Sequence, residues 1–346
     1  MFERLRKIGL TATLLFLVSP LALAAGRNGF FTYAPYGHSL YSDMHPNFVR
    51  LDVAYMSNHA AYDFGRHSQR YRWNTLGCFG VNLPVWQGDW RERNFGLSIT
   101  WTMSAQIWLD LFEPLTSPIV NTDYRISLPT ATFIHRVDKG FVRNYSIALS
   151  PYKHESTHIG DELQIQHRDE GYALSRVNVS YNYSELAVTL NEPEDRMQQN
   201  HTFRLGLILL HAPRDGWYSV KEDAGDGDPA YAHPRLSPWE AYLQYQYQSP
   251  SSRHGIQGIA SAEVRNRAVY GYDLTLRQGA IETDPVPDYR RFTYSLFVGM
   301  RYNIPHYDGY FSRYALGLRA YYGNCPYGQF RNIDGYCQWS FTLIFL

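Results

Sequence analysis

The residues best suited to chemistry stand in one run, His154-Glu155-Ser156-Thr157-His158-Ile159-Gly160-Asp161-Glu162. No other stretch brings two imidazoles, hydroxyls and adjacent carboxylates so close together. On a strand, residues i and i+2 share a face and lie about 6.6 Å apart. At that spacing His154 can serve as general base to the Ser156 hydroxyl, giving an activated nucleophile. Such a pair needs a carboxylate or amide to orient the imidazole. Asn178 is the candidate, with Asp169 and Glu170 beside it. Metal binding is a second chemistry. His154 and His158 are about 13 Å apart on an extended strand and can share an ion only if the chain turns at Thr157. Asp161 and Glu162, after Gly160, offer oxygens suited to calcium. The acidic run Glu222–Asp228 is also calcium-like but lacks the full EF-hand pattern. A third reading needs no reaction: His158, Asp161, Glu162, Arg176 and Asn178 form a polar network near a rim, holding a loop or a ligand. All three stand open on these residues.

The elements around the run are strands. From Phe95 to Leu109 the odd positions are mostly large and apolar, while the even positions from Gly96 to Gln106 are polar or small. Fifteen residues of period two are not a helix face, and they exceed the usual soluble strand of about 5–6 residues. The alternation recurs from Val49, Trp73, Tyr124, Tyr145, Val177, Phe203, Trp239, Tyr272, Phe292, Tyr314 and Trp339. A further, weaker pattern covers Ile256–Val264. Between the apolar rows stand Arg50, Asp52, Arg125, Arg176, Arg204, Asp273, Arg277, Arg301 and Arg319, a set that could pair across a lumen. Aromatic residues end many rows, as interface girdles do. The fold class expected is all-β: a transmembrane antiparallel barrel of about 12 strands, with 14 as the alternative. Gln87–Asp89 and Asp138–Gly140 read as short periplasmic turns. Residues 59–69, 110–122, 154–171 and 211–235 read as longer extracellular connections. His154 and Ser156 continue the even, lumen-side set of their strand. A bulge at Pro151 would instead turn them toward lipid.

The ends and the composition agree with export. Arg4, Arg6 and Lys7 precede a mostly apolar run, Ile8 to Leu21, and then Ala22-Leu23-Ala24. These are the three parts of a secretory signal, expected as residues 1–24. The run is shorter than the roughly 20 residues a spanning helix needs. The barrel is expected over 25–346, with 25–47 as a periplasmic lead-in. Only four of the 32 basic residues are Lys (Lys7, Lys139, Lys153 and Lys221), and 29 Tyr contribute to a 16% aromatic content. Arg keeps its charge and fork geometry when partly desolvated, which suits a polar lumen or a headgroup surface. A net charge of zero argues against a nucleic-acid partner. Cys325 and Cys337 flank a short loop and could pair in an oxidising compartment, leaving Cys78 single.

The His-x-Ser element resembles that of two barrel enzyme families. Outer-membrane phospholipase A completes it with an Asn on the next strand, and the pair faces the lipid; the lipid A 3-O-deacylases complete it with a Glu. The resemblance implies His154 as base and Ser156 as nucleophile, while the matching third position here is Arg168. The longer run is also similar to the outer-membrane family known as domain of unknown function 1207, whose signature reads His-x-Ser-Ser-His-x-Gly-Asp-Glu, followed by an Arg-Ile-Asn-aromatic-Ser strand. The counterparts are His154, Ser156, Thr157, His158, Gly160, Asp161 and Glu162, then Arg176-Val177-Asn178-Val179-Ser180. The stretch from Ala34-Pro35 to Pro46-Asn47-Phe48 is similar too. Thr157 stands where that family has a second Ser. The family has no agreed activity.

Together these features lead to an outer-membrane barrel that binds or modifies a lipid, lipopolysaccharide or exported ligand through the His154–Glu162 rim cluster. The alternatives are a lipid acyl-ester hydrolase with a His154/Ser156 dyad and a small-solute channel or structural barrel. Calcium is a candidate cofactor. Partners are outer-membrane lipid and the barrel-insertion machinery, with the oligomeric state left open.

Overall fold

The computed structural model describes residues 29–30, 39–57, 73–109, 119–160, 180–192, 198–211, 239–268, 272–277, 280–285, 290–304, 313–328 and 335–346. The expected signal peptide lies outside them. In chain order the strands are β1 (Gly29–Phe30), β2 (Val49–Ser57), β3 (Trp73–Trp90), β4 (Phe95–Leu109), β5 (Ile119–Ser127), β6 (Thr130–Lys139), β7 (Val142–Ile159) and β8 (Ser180–Leu190). They continue as β9 (Asn200–His211), β10 (Trp239–Gln248), β11 (Ile256–Ala268), β12 (Tyr272–Arg277), β13 (Ala280–Pro285), β14 (Arg290–Asn303), β15 (Arg313–Gly323) and β16 (Tyr336–Phe345).

Each wall strand pairs antiparallel with its neighbours, and β16 closes on β2 from Phe345↔Val49 to Cys337↔Ser57. β5 and β6 lie end to end between β4 and β7, so they make one stave, and the closed wall has 12 staves. Closure leaves no open edge, as a membrane-spanning sheet requires. Among the described residues no helix is long and apolar enough to cross a membrane. Period two sets the two faces. On β9, Phe203, Leu205, Leu207 and Leu209 are exposed while Thr202 and Arg204 are buried. The same holds for Phe292, Tyr294, Leu296 and Val298 on β14, with Thr293 and Ser295 buried. An exposed apolar belt around a polar interior is the surface a bilayer demands, and the protein is an outer-membrane β-barrel.

Several expectations shift in detail. The weak pattern at Ile256–Val264 is a full barrel strand, β11. Tyr272–Leu276 instead belongs to β12, which among the described residues pairs with β13 in a separate two-stranded sheet. Gln87–Asp89 lies inside β3, and the turn comes at Arg91–Asn94. Near Asp138–Gly140 the expected turn is present, with Gly140 at φ 60°. Short connections and both wall ends, Val49 and Phe345, lie at one end of the barrel and longer ones at the other. In outer-membrane barrels the short turns face the periplasm.

The lumen is filled from two directions. Residues 39–47, expected as a periplasmic lead-in, run inside the barrel. Arg319 donates to the carbonyls of Tyr41 (2.7 Å) and Asp43 (3.2 Å). Arg50 donates to those of Asp43 (3.1 Å) and Met44 (3.2 Å), and Ser295 Oγ to that of Ser42 (2.6 Å). From the other end, residues 324–328, which follow β15, fold in, and Arg267 donates to the carbonyls of Cys325 and Pro326. The two inserts meet where His45 Nε2 donates to the Pro326 carbonyl (2.9 Å). A polar cavity of about 120 Å³ remains, lined by groups including Arg125, Glu155, Tyr183, Glu185 and Arg204.

Cys325 and Cys337 do not pair; both are free thiols. Cys325 sits in a buried cluster with Trp108, Tyr327 and Tyr336. Cys337 is on β16 in the same outward row as exposed Trp339 and Phe341. The wall of the barrel stands between them.

Candidate active site on the lipid face

One extra residue decides which way the His154 run points. Along β7 and β8 the register runs Tyr145↔Leu190 to Ser150↔Glu185, then resumes one residue out of step at Lys153↔Tyr183. The bulge falls at Pro151-Tyr152. Proline has no N–H to give a ladder, so it is at home where the ladder is interrupted. Below the bulge the even residues Ser146 and Ser150 are buried, and Tyr145, Ile147 and Leu149 are exposed. Above it the odd residues Glu155 and Thr157 are buried. His154, Ser156 and His158 therefore face outward, on the lipid side. The neighbouring stave carries a matching step. β4 pairs with β5 in one register and with β6 in another, the break falling at Leu128-Pro129. With an extra residue in both staves, β5/β6 and β7 stay in phase with each other.

β8 inverts the sequence expectation. Tyr181 and Tyr183, expected outward, are buried, because Leu186, Val188 and Leu190 on the even positions face lipid and the parity carries upward. Ser180 and Asn182 thus join the outer face. The pairings Ser156↔Ser180 and His154↔Asn182 set them beside the dyad. The His154 ring contacts Asn182, Nδ1 to Oδ1 at 2.8 Å. A carbonyl oxygen only accepts, so Nδ1 carries the proton and Nε2 presents its lone pair. That is the tautomer a general base needs. Among the described residues no side-chain hydrogen bond joins Ser156 to His154. They are same-face neighbours two residues apart.

The lumen side of the same strands is held rigid. Glu155 accepts from Arg125 (2.8 Å) and from the Tyr181 hydroxyl (3.0 Å). Lys153 pairs with Glu185, which also accepts from the Tyr242 hydroxyl. These links tie β5, β7, β8 and β10 together behind the site. A polar network in which every member has partners fixes geometry better than any single pair.

The height of the site also follows from the strand. From exposed Phe141 to exposed Tyr152 is about 36 Å along the chain, or roughly 28 Å upright at a tilt near 40°, close to the ~25 Å apolar band of such barrels. His154 and Ser156 stand just above that band, at the long-loop end, where headgroups and ester carbonyls lie. His158 is one step higher, its ring 5.9 Å from that of Tyr124 and near edge-on.

Of the expected site residues, the structure brings His154, Ser156 and His158 to one face. Asn178, Asp161, Glu162 and Arg176 lie outside the described residues, as does the acidic run Glu222–Asp228. β7 runs straight through Thr157 to Ile159, so the turn that would let His154 and His158 share an ion is not made. Among the described residues no three His, Cys, Asp or Glu side chains cluster as a metal site. The residue that sequence reasoning missed is Asn182. It shares its parity with Asn178, but register across a pair cannot be read from one strand.

No family model matches the chain, and no curated protein matches it. Solved barrels are similar in shape. Outer membrane phospholipase A from Escherichia coli aligns at 12% identity over 87% of this chain and 93% of that one, with a TM-score of 0.43. The translocator domain of the autotransporter NalP from Neisseria meningitidis gives 14%, 86%, 87% and 0.38. LpxR from Salmonella typhimurium gives 11%, 86%, 99% and 0.32. Such distant likenesses say nothing about which reaction, if any, this chain performs.

Proposed function

We propose that the protein is a serine-type acyl-ester hydrolase of outer-leaflet lipids. The observation that carries this is the 2.8 Å contact between His154 Nδ1 and Asn182 Oδ1 on the lipid side of the wall. At headgroup height polar side chains need no partner in the wall, yet here they are ordered so that one imidazole nitrogen is fixed and the other left available. Ser156 is the nucleophile. Its oxygen attacks the acyl carbonyl as His154 Nε2 takes the hydroxyl proton. His154 then gives that proton to the departing alcohol oxygen, and a water activated the same way releases the fatty acid and restores Ser156. Asn182 keeps the ring oriented and stabilises the imidazolium that forms. The acyl chain would lie along exposed apolar residues beside and below the pair, Ile126 next to His154 and then Leu149 and Leu186. The two inserts that fill much of the lumen favour a surface activity over a conduit.

The test is release of fatty acid from phospholipid and from lipopolysaccharide by the purified barrel in detergent, with folding checked by heat-modifiable gel mobility. Ser156→Ala and His154→Ala are each expected to cost at least about a thousandfold in kcat. Folded native protein that releases no acid from either substrate, with and without calcium, would end the proposal.

A further inference from the structure

A second serine–histidine pair stands on the same outer face. Ser184 Oγ is 2.7 Å from His211 Nε2 and also 2.7 Å from the Pro151 carbonyl oxygen. By distance alone Ser184 looks like a nucleophile with its base. Proton counting says otherwise. A hydroxyl has one proton, and a carbonyl can only accept. Ser184 must donate to Pro151, so His211 must donate its Nε2–H to Ser184. The chain of donors runs from His211 through Ser184 to Pro151, and its end point is the bulge.

We infer that Ser184 and His211 are positioning residues that lock the β7 bulge and so hold His154 and Ser156 on the lipid face. Between Ser150 and Lys153 the β7–β8 ladder misses a step. On the other side of β7, the Tyr152 carbonyl accepts from Leu128 N at 2.8 Å. On the β8 side, the register passes over Pro151, and its carbonyl accepts from the Ser184 hydroxyl. An unpaired carbonyl at this height would favour closing the ladder by slipping one residue, and a one-residue slip turns every side chain to the opposite face. His211 adds a second restraint: its ring lies 6.2 Å from that of Tyr152, the other bulge residue. The consequence for catalysis rests on the hydrolase reading; the locking of the bulge does not.

The experiment has two independent readouts. In a background with Cys78, Cys325 and Cys337 changed to Ser, Ser156→Cys reports facing through labelling by a membrane-partitioned maleimide in liposomes. Labelling is expected to fall at least tenfold when Ser184→Ala is added and to return with Ser184→Thr, which keeps the hydroxyl. His211→Phe, which keeps the ring but removes the donor, serves if Ser184→Ala does not fold, and is expected to lower labelling as well. With Ser156 native, the same Ser184 and His211 changes are expected to lower kcat about tenfold while KM holds, and a fluorophosphonate should modify Ser156 rather than Ser184. Unchanged labelling in folded Ser184→Ala and His211→Phe overturns the inference whether or not the protein proves to be an enzyme. Modification of Ser184 itself overturns it too. Loss of activity in the native chain with labelling still dependent on Ser184 would remove the hydrolase reading alone.

Discussion

The His154 imidazole rests against the Asn182 amide, Nδ1 to Oδ1 at 2.8 Å, and spacing along β8 alone does not pick that partner. Asn178 and Asn182 share a parity, and only the register Ser156↔Ser180 selects the second. The amide makes a specific prediction. Asn182→Leu removes a hydrogen bond to a ring that becomes charged, a loss of about 1.5–3 kcal/mol, or roughly ten- to hundredfold in kcat. Asn182→Asp keeps an acceptor at the same place and should retain most activity. Full activity in folded Asn182→Leu would separate Asn182 from the catalytic imidazole. The cysteine expectation failed for a related reason: spacing along the chain does not say which side of a wall each thiol is on. Burial among Trp108, Tyr327 and Tyr336 pushes the Cys325 thiol up to about 12. It should resist iodoacetamide at pH 8 in the folded barrel and react once the barrel is unfolded, as intact-mass measurement would show.

At the level of the strand, period two was plain to see, but its phase was legible only up to the next bulge. The rows from Tyr145 to Leu149 and from Phe203 to Leu209 face as their apolar residues require. Past Pro151 the phase inverts, and both possibilities for His154 were visible in the sequence because a proline there permits but does not compel a bulge. Pro84 and Pro129 sit at equivalent register breaks, so the device recurs in β3 and in the β5/β6 stave. Deleting Tyr152 tests what the bulge does. Without the extra residue Pro151 falls opposite Ser184 and Lys153 keeps Tyr183, so the alternation runs unbroken with His154 and Ser156 still on the lipid face and Lys153 and Glu155 still inside. The extra residue of the β5/β6 stave then lacks its match in β7, so the temperature at which the folded gel band is lost should fall. Acyl release by the folded variant should persist. Loss of acyl release in a folded deletion variant would mean that the bulge shapes the site beyond setting its face.

For the whole barrel, closure followed from repeated alternation, and the even count of 12 holds because the weaker Ile256–Val264 strand stands in the wall where the Tyr272 row was expected. The plug did not follow, because residues 39–47 carry no periodic pattern, and a segment that binds through its backbone leaves little trace in side-chain type. A physical need for it exists nonetheless. Eight staves leave an interior that side chains just fill, and sixteen or more leave a channel; twelve fall between, and something must occupy the remainder. The lumenal arginines mark the answer in hindsight, since Arg319 spends its donors on carbonyls of the plug rather than on a carboxylate. Gly80 is the other mark. A Cβ there would lie 2.5–2.7 Å from backbone atoms of Asn47 and Phe48, too near for any side chain unless the segment moves. Gly80→Val and Arg319→Leu thus attack the plug in different ways, one by volume and one by withdrawing charged hydrogen bonds worth about 1.5–3 kcal/mol each. Neither touches the outer face of β7 and β8. In planar bilayers the native barrel is expected to be silent and both variants to conduct, with fatty-acid release unchanged. Steady conductance from the native protein would instead make the lumen a pathway, and silence from both variants would show that the segment following β15 closes it alone.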